Sequence, residues 1–267
     1  MQKLGQHFLK NGAVAKKIVN ALSLDAHDAV IEIGPGHGEL TVPLAHACVA
    51  AGASLAVIEK DPRLADGLRK RLADEKIGME VAVTCDDALK VLPDMIGTTS
   101  TSASKLAGNL PYYITGKLLR IISDLEPERR PERCVFMVQR EVAERIVAAA
   151  PEMNRLAASV QFWAAAEIVV HVPKGDFSPP PKIDSAVIAL VTKKDPLPVP
   201  PALYYEAVRT IFAQPRKMLI NNLAAAEKKS LSKEQIVHAM GKMGLAPTSR
   251  PQDLSIENIV RLAELLF

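Results

Sequence analysis

Short apolar runs alternate with amphipathic stretches between residues 29 and 192. The apolar runs are four to seven residues or so in length, as expected for buried strands, and the stretches between them repeat apolar residues at helical spacing. This alternation predicts an α/β fold, a mostly parallel sheet with helices on both faces. The predicted strands lie at 29–34, 54–60, 80–86, 105–109, 134–139, 167–173 and 185–192. The last two are joined by "KGDFSPPPKID" and are expected to pair antiparallel.

The pattern changes at "KKDPLPVPPA" (193–202), which carries four prolines in ten residues. Such a stretch is typical of a linker. Beyond it the apolar spacing is helical, and Ser232 and Ser255 are suitable N-caps. The sequence therefore predicts a catalytic or binding domain over 1–192, a linker over 193–202 and a small all-helical domain over 203–267.

Composition narrows the setting of the protein. The 267 residues contain no apolar run of the roughly 18 residues that a membrane span needs, and the first ten residues lack the apolar core of a secretory signal. Cys48, Cys85 and Cys134 are isolated and lack metal-ligand spacing, so they are expected to be reduced, with no metal bound. The protein is expected to be cytoplasmic, without membrane contact, and a monomer, because no long apolar patch or heptad repeat stands out.

Positive charge is concentrated in the tail. Residues 193–267 hold 11 Lys and Arg against 7 Asp and Glu, whereas the rest holds 22 against 23. This distribution favours a helical domain that faces nucleic acid, although a basic helical surface can also be merely solvated.

Three strand ends carry candidate ligand groups. "EIGPGHGEL" places Gly34 and Gly36 directly after the first strand, Glu59 ends the second, and Asp87 follows the third. Glycines let a backbone approach a ligand, and ligands of open α/β sheets bind at the carboxyl ends of strands. Glu59 suits ribose hydroxyls and Asp87 an adenine amino group. The G-x-G-x-G spacing argues against a dinucleotide, so S-adenosyl-L-methionine is the predicted cofactor, with plain strand-end turns as the alternative.

The fourth strand ends in "NLPYY" (109–113). An adenine amine is a poor nucleophile, and the Asn109 side-chain oxygen with the Leu110 carbonyl can accept its two hydrogens. Pro111 fixes the turn, and Tyr112 offers a ring on which an unstacked base can lie. Phe177, in the proline-rich loop, can supply a second ring. An ordinary turn with core tyrosines is the alternative, and Tyr113 has no predicted role beyond packing at the start of the next helix.

These residues belong to a set of segments that resembles the ribosomal RNA adenine dimethyltransferases of the bacterial KsgA/RsmA type. The set spans nearly the whole chain in order. The matching segments are "GQHFL" (5–9), "EIGPGHGELT" (32–41), "VIEKDPRL" (57–64), "DAL" (87–89), "NLPYYIT" (109–115), "MVQREVAERI" (137–146), "FSPPPKIDSAV" (177–187) and "FAQPRKMLINNL" (212–223).

The resemblance implies a Rossmann-like seven-stranded methyltransferase fold and dimethylation of two adjacent adenines in the 3′-terminal hairpin loop of small-subunit rRNA. It also implies that His7 and Leu9 belong to a segment closing over the cofactor. Arg216 and Lys217 are expected to hold RNA phosphates. The implied cofactor contacts are His7, Leu9, Gly34, Gly36, Glu59, Asp87 and Asn109. The implied target-amine motif is Asn109, Leu110, Pro111 and Tyr112, with Phe177 as the stacking partner.

Two other functions stay open at this point. One is a large-subunit rRNA adenine methyltransferase of the macrolide-resistance type, which shares the glycine turn and an Asn-x-Pro-Tyr/Phe motif. The other is a non-catalytic RNA-binding assembly factor built on the same scaffold. Residues 147–159 depart from the family pattern, and this touches RNA recognition more than the cofactor pocket.

Overall fold

The computed structural model describes residues 7–98, 104–195, 198–225 and 232–266. The chain divides into two compact units. The first comprises the residues up to Ala143 together with Ala165–Thr192, and the second comprises Glu144–Ala164 together with the residues from Lys193 onward. This division differs from the boundaries predicted from the sequence, because 144–164 is grouped with the C-terminal helices.

The first unit is built on a seven-stranded sheet, as the apolar runs predicted. Its order is β4-β3-β2-β5-β6-β9-β7, with β2, β3, β4, β5 and β6 mutually parallel and β9 antiparallel to β6. The strands are β2 Ala29–Ile33, β3 Ser54–Glu59, β4 Ala82–Cys85, β5 Ser104–Asn109, β6 Arg133–Gln139, β7 Ala164–Val172 and β9 Ser185–Thr192. The two last strands are neighbours, as expected.

A second, two-stranded sheet was not predicted. It pairs β1 (Phe8–Leu9) antiparallel with β8 (Phe177–Ser178), with Phe8 opposite Ser178 and Leu9 opposite Phe177. Strands of two residues give no periodicity to detect, so nothing in the apolar pattern signals this pairing.

The central strands carry apolar side chains on both faces because helices cover both. All five residues of β2 are buried, as are Val57 and Ile58 of β3. Leu44 of α2 and Leu68 of α3 pack in the same core as Val57. The helices that begin in this unit are α1 Gly12–Leu22, α2 Thr41–Ala51, α3 Pro62–Asp74, α4 Ala88–Thr98, α5 Thr115–Asp124 and α6 Arg140–Val147.

The second unit is formed by helices around a separate apolar core. Phe162 stacks on Tyr204 with ring centroids 3.7 Å apart, and the Tyr204 hydroxyl donates to the carbonyl of Ala158. Ser232 caps its helix through a capping box with Gln235, as the sequence predicted for that serine. The remaining helices are α7 Arg155–Gln161, α8 Pro201–Ile211, α9 Leu219–Ala224, α10 Lys233–Lys242 and α11 Ile256–Leu266. Across the described ranges, none of the helices has the length and apolarity to span a bilayer.

Candidate cofactor and target-base site

The carboxyl ends of the parallel strands open into one cavity of about 240 Å³ in the first unit. Its wall contains every site residue predicted from the sequence except Arg216 and Lys217. These wall residues are His7, Leu9, Gly34, Gly36, Glu59, Asp87, Asn109, Leu110, Pro111, Tyr112 and Phe177.

The glycine turn after β2 is held in a conformation that other residues adopt only with strain. Gly34 and Gly36 have φ of +70° and +59°, and the Gly34 N–H donates to the carbonyl of Ile58, which ties the turn to β3. A Cβ on Gly36 would lie 2.9 Å from Cε1 of Phe8. Gly36 therefore makes room for the Phe8 ring as well as for close approach of a ligand.

Glu59 lies at the end of β3 as a fixed, buried carboxylate. One carboxylate oxygen accepts the N–H of Gly36 at 3.1 Å, and the other accepts the N–H of Asp61 at 2.9 Å. These two bonds hold the side chain against the glycine turn while each oxygen keeps a further lone pair. The arrangement suits two neighbouring hydroxyls, as in a ribose.

Asp87 lies beside this carboxylate, but it is already engaged. Its Oδ2 accepts a 2.8 Å bond from Nζ of Lys60, and its Oδ1 accepts the N–H of Leu89. The hydrogen bond from Lys60 lowers the pKa of Asp87, so the carboxylate is ionised at neutral pH. An adenine amine at this place shares the carboxylate with Lys60, a contact that the sequence analysis missed.

Glu32 is a second residue that the sequence analysis missed. It lines the cavity from β2, is 1% exposed, and its Oε2 accepts no hydrogen bond from the residues described. Burial raises the pKa of Glu32 to about 8, and the negative charges of Glu39 and Glu59 add to the shift. The signal was present in the sequence as the one charged residue of an otherwise apolar strand, "AVIEI".

These features fit S-adenosyl-L-methionine. The glycine turn permits close approach, Glu59 faces a ribose position, and Asp87 supplies an acceptor for adenine. Glu32 presents an unpartnered buried carboxyl oxygen, which suits the positive charge of an ammonium or sulfonium group. The cofactor prediction is therefore supported by a glycine turn and three carboxyl groups around one cavity.

Asn109 is oriented by the N-terminal segment. Its side-chain Nδ2 donates to the backbone carbonyl of His7 at 3.0 Å, so its Oδ1 is the amide atom left for a ligand. The N–H of Leu110 donates to the carbonyl of Met137 on β6, and the Leu110 carbonyl accepts no hydrogen bond from the described part of the chain. Asn109 and Leu110, neighbours in the chain, thus each offer an acceptor and both line the cavity.

The aromatic residues near Asn109 occupy different environments. The Tyr112 hydroxyl lies 3.4 Å from Oγ of Ser185, and its ring centroid is 6.3 Å from that of His7. Phe177 lines the cavity but is only 2% exposed, because it packs in the apolar core of the first unit. Tyr113 also lines the cavity and is 58% exposed, which contradicts the packing role predicted for it.

The segment His7–Asn11 lies along one side of the cavity and is fastened to the proline-rich loop. Besides the β1–β8 pairing, His7 Nδ1 lies 2.9 Å from the Pro179 carbonyl oxygen and the Lys10 N–H donates to the Asp176 carbonyl. The Phe8 ring packs on His37 with centroids 4.2 Å apart. The segment therefore joins the glycine turn, Asn109 and the loop of Phe177.

Arg216 and Lys217 belong to the second unit, where both are exposed. The cavity residues belong to the first unit. As for metals, no group of three or more His, Cys, Asp or Glu in the described ranges is arranged as a ligand set.

Comparison with known proteins identifies the family of the chain. A model of the family described as Ribosomal RNA adenine dimethylase matches residues 1–267. A relative in Acidobacterium capsulatum, named Ribosomal RNA small subunit methyltransferase A, is 38% identical over 266 residues, covering 97% of this chain and 89% of its own.

Two solved structures share the fold over nearly the whole chain. A dimethyladenosine transferase from Plasmodium falciparum matches with a TM-score of 0.76 at 25% identity, covering 96% of both chains. The 23S rRNA methyltransferase ErmE matches with a TM-score of 0.76 at 24% identity, covering 97% of this chain and 99% of its own, and that identity supports the fold alone. The chain belongs to the ribosomal RNA adenine dimethylases, a family of S-adenosyl-L-methionine-dependent transferases.

Proposed function

We propose that this protein dimethylates N6 of two adjacent adenines in the 3′-terminal hairpin loop of small-subunit rRNA. The observation that carries the proposal is the pair of acceptors at the end of β5, Asn109 Oδ1 and the Leu110 carbonyl, beside the glycine turn and Glu59. The identity to small-subunit methyltransferases supports the choice of RNA. The protein is proposed to act as a monomer in the cytoplasm, where its rRNA substrate is assembled.

Residues of this protein compensate for the low nucleophilicity of the adenine N6 amine. When bound, S-adenosyl-L-methionine supplies an electrophilic methyl group on a cationic sulfur. Asn109 Oδ1 and the Leu110 carbonyl accept the two N6 hydrogens in the first transfer, and one of them accepts the single N6 hydrogen that is left in the second. These bonds favour a nitrogen whose lone pair is directed out of the ring plane. The Asn109 side chain is held by the His7 carbonyl, and the backbone of Leu110 is held through its N–H by the Met137 carbonyl, so the two residues need little reorganisation.

The rings of Tyr112 and Phe177 can stabilise a target base that has been unstacked from its neighbours. Tyr112 is held by Ser185 and lies near His7, so its ring is fixed at the cavity wall. Phe177 lies in the same wall and is held by its pairing with Leu9. Stacking on such rings offsets the cost of unstacking the target adenine, which is smallest in a loop.

Proton balance requires no strong base. Each transfer forms an N6–C bond, breaks the S–C bond and releases one N6 proton, because the intermediate cation at nitrogen is strongly acidic. The proton can pass to water. Lys60 and Asp87 form an ion pair, and neither is required to act as the base.

The second unit is proposed to bind RNA backbone. Arg216 and Lys217 are exposed, and the tail from 193 to 267 carries the excess positive charge of the chain. Such contacts hold phosphates without reading sequence.

The test is methyl transfer from labelled cofactor to small and large ribosomal subunits that lack the modification. Mass mapping of the product rRNA should show dimethyladenine at two adjacent positions of the small-subunit 3′ hairpin. Modification of large-subunit rRNA alone would favour the macrolide-resistance type. No transfer, with no cofactor binding by calorimetry, would leave a non-catalytic assembly factor.

A further inference from the structure

Tyr113 presents its ring to solvent at the edge of the cavity. Its exposure of 58% is the highest among the large apolar side chains of the described residues, and no other Phe, Tyr or Trp there is classed as exposed. A tyrosine ring exposed on the wall of a ligand cavity presents an apolar face and a hydroxyl to a molecule that binds there.

Tyr113 differs from its neighbour Tyr112 in how it is held. Tyr112 has Ser185 and His7 as partners, whereas Tyr113 makes no hydrogen bond or ring contact with the residues that the structure describes. The two rings follow each other in one turn before α5. The Tyr112 ring is therefore fixed at the cavity wall, and the Tyr113 ring is available to contact a bound molecule.

Two cationic side chains line the same part of the cavity. Lys117 follows Tyr113 by four residues on the first turn of α5, is exposed, and makes no ion pair within the described ranges. Lys60 is 56% exposed and bonds Asp87 with one of its three donors. A ring with a cation beside it matches a nucleotide, whose base stacks and whose phosphate is negative.

We propose that Tyr113 stacks on the base next to the target adenine, with Lys117 contacting the adjoining phosphate. This inference rests on the proposed function and deepens it. Because two adjacent adenines are modified, the base lying on Tyr113 in one round is a target in the other. Tyr113 thereby acts as a positioning residue that sets the register of the RNA.

The test compares Tyr113→Ala and Tyr113→Phe with Val49→Ala, which truncates a 43%-exposed side chain on α2 outside the cavity wall. Because Tyr113→Ala removes one base-stacking contact, it should raise KM for undermethylated small subunits about tenfold. Tyr113→Phe should stay within about twofold of wild type, because the ring remains. Cofactor affinity by calorimetry should be unchanged in all three variants.

A second measurement reports stacking directly. A 3′-hairpin RNA carrying 2-aminopurine next to the target adenine should lose fluorescence on binding wild type and Tyr113→Phe, but not Tyr113→Ala. If wild type methylates small subunits and Tyr113→Ala matches it in KM and in quenching, this inference is overturned alone. If Tyr113→Ala weakened cofactor binding as strongly as it raised KM for the small subunit, the inference would be overturned too, because the ring would then belong to the cofactor site. A wild type that leaves small subunits unmethylated removes the proposed function, and with it this inference.

Discussion

The side-chain amide of Asn109 donates a hydrogen bond from Nδ2 to the backbone carbonyl of His7, at 3.0 Å. The His7 carbonyl oxygen can only accept a hydrogen bond, so the amide nitrogen of Asn109 must face it. The amide oxygen Oδ1 is therefore the atom left for a ligand in the cavity. The N-terminal segment therefore selects the orientation of the side chain that we propose as an acceptor for the target amine.

Asn109→Ala and Asn109→Asp should both abolish most activity for different reasons. Alanine removes the acceptor, and aspartate places a charged oxygen against the His7 carbonyl. By analogy with losing one preorganised transition-state contact, we expect a fall in kcat of about 100-fold or more. Single-turnover methyl transfer at saturating cofactor measures it. Asn20→Ala, at an exposed position of α1, is the matched control and should leave the rate unchanged.

If Asn109→Asp retained wild-type turnover, the orientation imposed by His7 would be irrelevant to the reaction. Calorimetry with the cofactor alone separates the two possible losses. A parallel collapse of cofactor affinity would mean that Asn109 acts mainly on the cofactor.

Glu32 should make the free protein less stable as pH rises. Its pKa is about 8 in the folded chain and 4.5 in the unfolded one, so the folded state holds a proton that the unfolded state loses. The contribution of Glu32 to stability is therefore fully present below about pH 4.5 and is lost between there and about pH 8. Relative to Glu32→Gln, wild type should lose up to about 5 kcal/mol across this window.

Urea denaturation of the cofactor-free protein from pH 5 to 9 measures the difference between wild type and Glu32→Gln. The sign of the slope matters, since a glutamine amide adds a cost that does not vary with pH. Glu80→Gln, at an exposed position, should give a flat difference. A flat difference for Glu32→Gln as well would mean that the carboxyl is not held protonated.

Features that extend over a whole strand could be predicted from the sequence, whereas contacts between short, distant segments could not. The seven strands were predictable because burial on both faces gives continuous apolar runs. Glu59, Asp87 and Asn109 were found because parallel strands place their carboxyl ends at one edge. The pairing of Phe8 with Ser178 was not, because it joins residues far apart through two-residue strands.

The ion-pair partners of the site residues could not be predicted from the sequence either. Lys60 follows Glu59 directly, yet it bonds Asp87 across the strand ends, which depends on side-chain direction rather than spacing. Tyr113 shows the same limit. The sequence placed it in the right turn, but whether its ring points inward or outward is decided by the turn geometry that Pro111 and Ile114 close.

Lys105 and Asp28 form a buried ion pair whose disruption should destabilise the first unit. Their side chains are each 3% exposed, Nζ lies 2.7 Å from Oδ2, and Nζ also donates to the carbonyl of Ser23. Lys105→Met leaves the Asp28 carboxylate buried without a counter-charge, which should cost about 3–5 kcal/mol.

The double variant Lys105→Met with Asp28→Asn should be less unstable than the sum of the two singles, because neither charge remains. Urea denaturation of all four proteins gives the coupling. Lys70→Met, at an exposed position of α3, should stay close to wild type. Additive losses would show that the two charges do not interact.

Arg216 and Lys217 should contribute to RNA affinity but not to cofactor affinity. Both are exposed in the second unit, where a phosphate contact exchanges a bound counterion for a protein charge. Replacing both with glutamine should weaken binding to undermethylated small subunits and reduce the slope of log affinity against log salt by up to about 2. The predicted cofactor contacts lie in the first unit, so the affinity for the cofactor should vary little with salt concentration.

Lys16→Gln with Lys17→Gln removes the same two charges from adjacent exposed positions of α1 and is the matched control. The proposal requires a larger slope change for the Arg216 and Lys217 pair than for this control. Equal changes would mean that the RNA responds to net charge alone, because only a localised contact distinguishes one pair of cations from another.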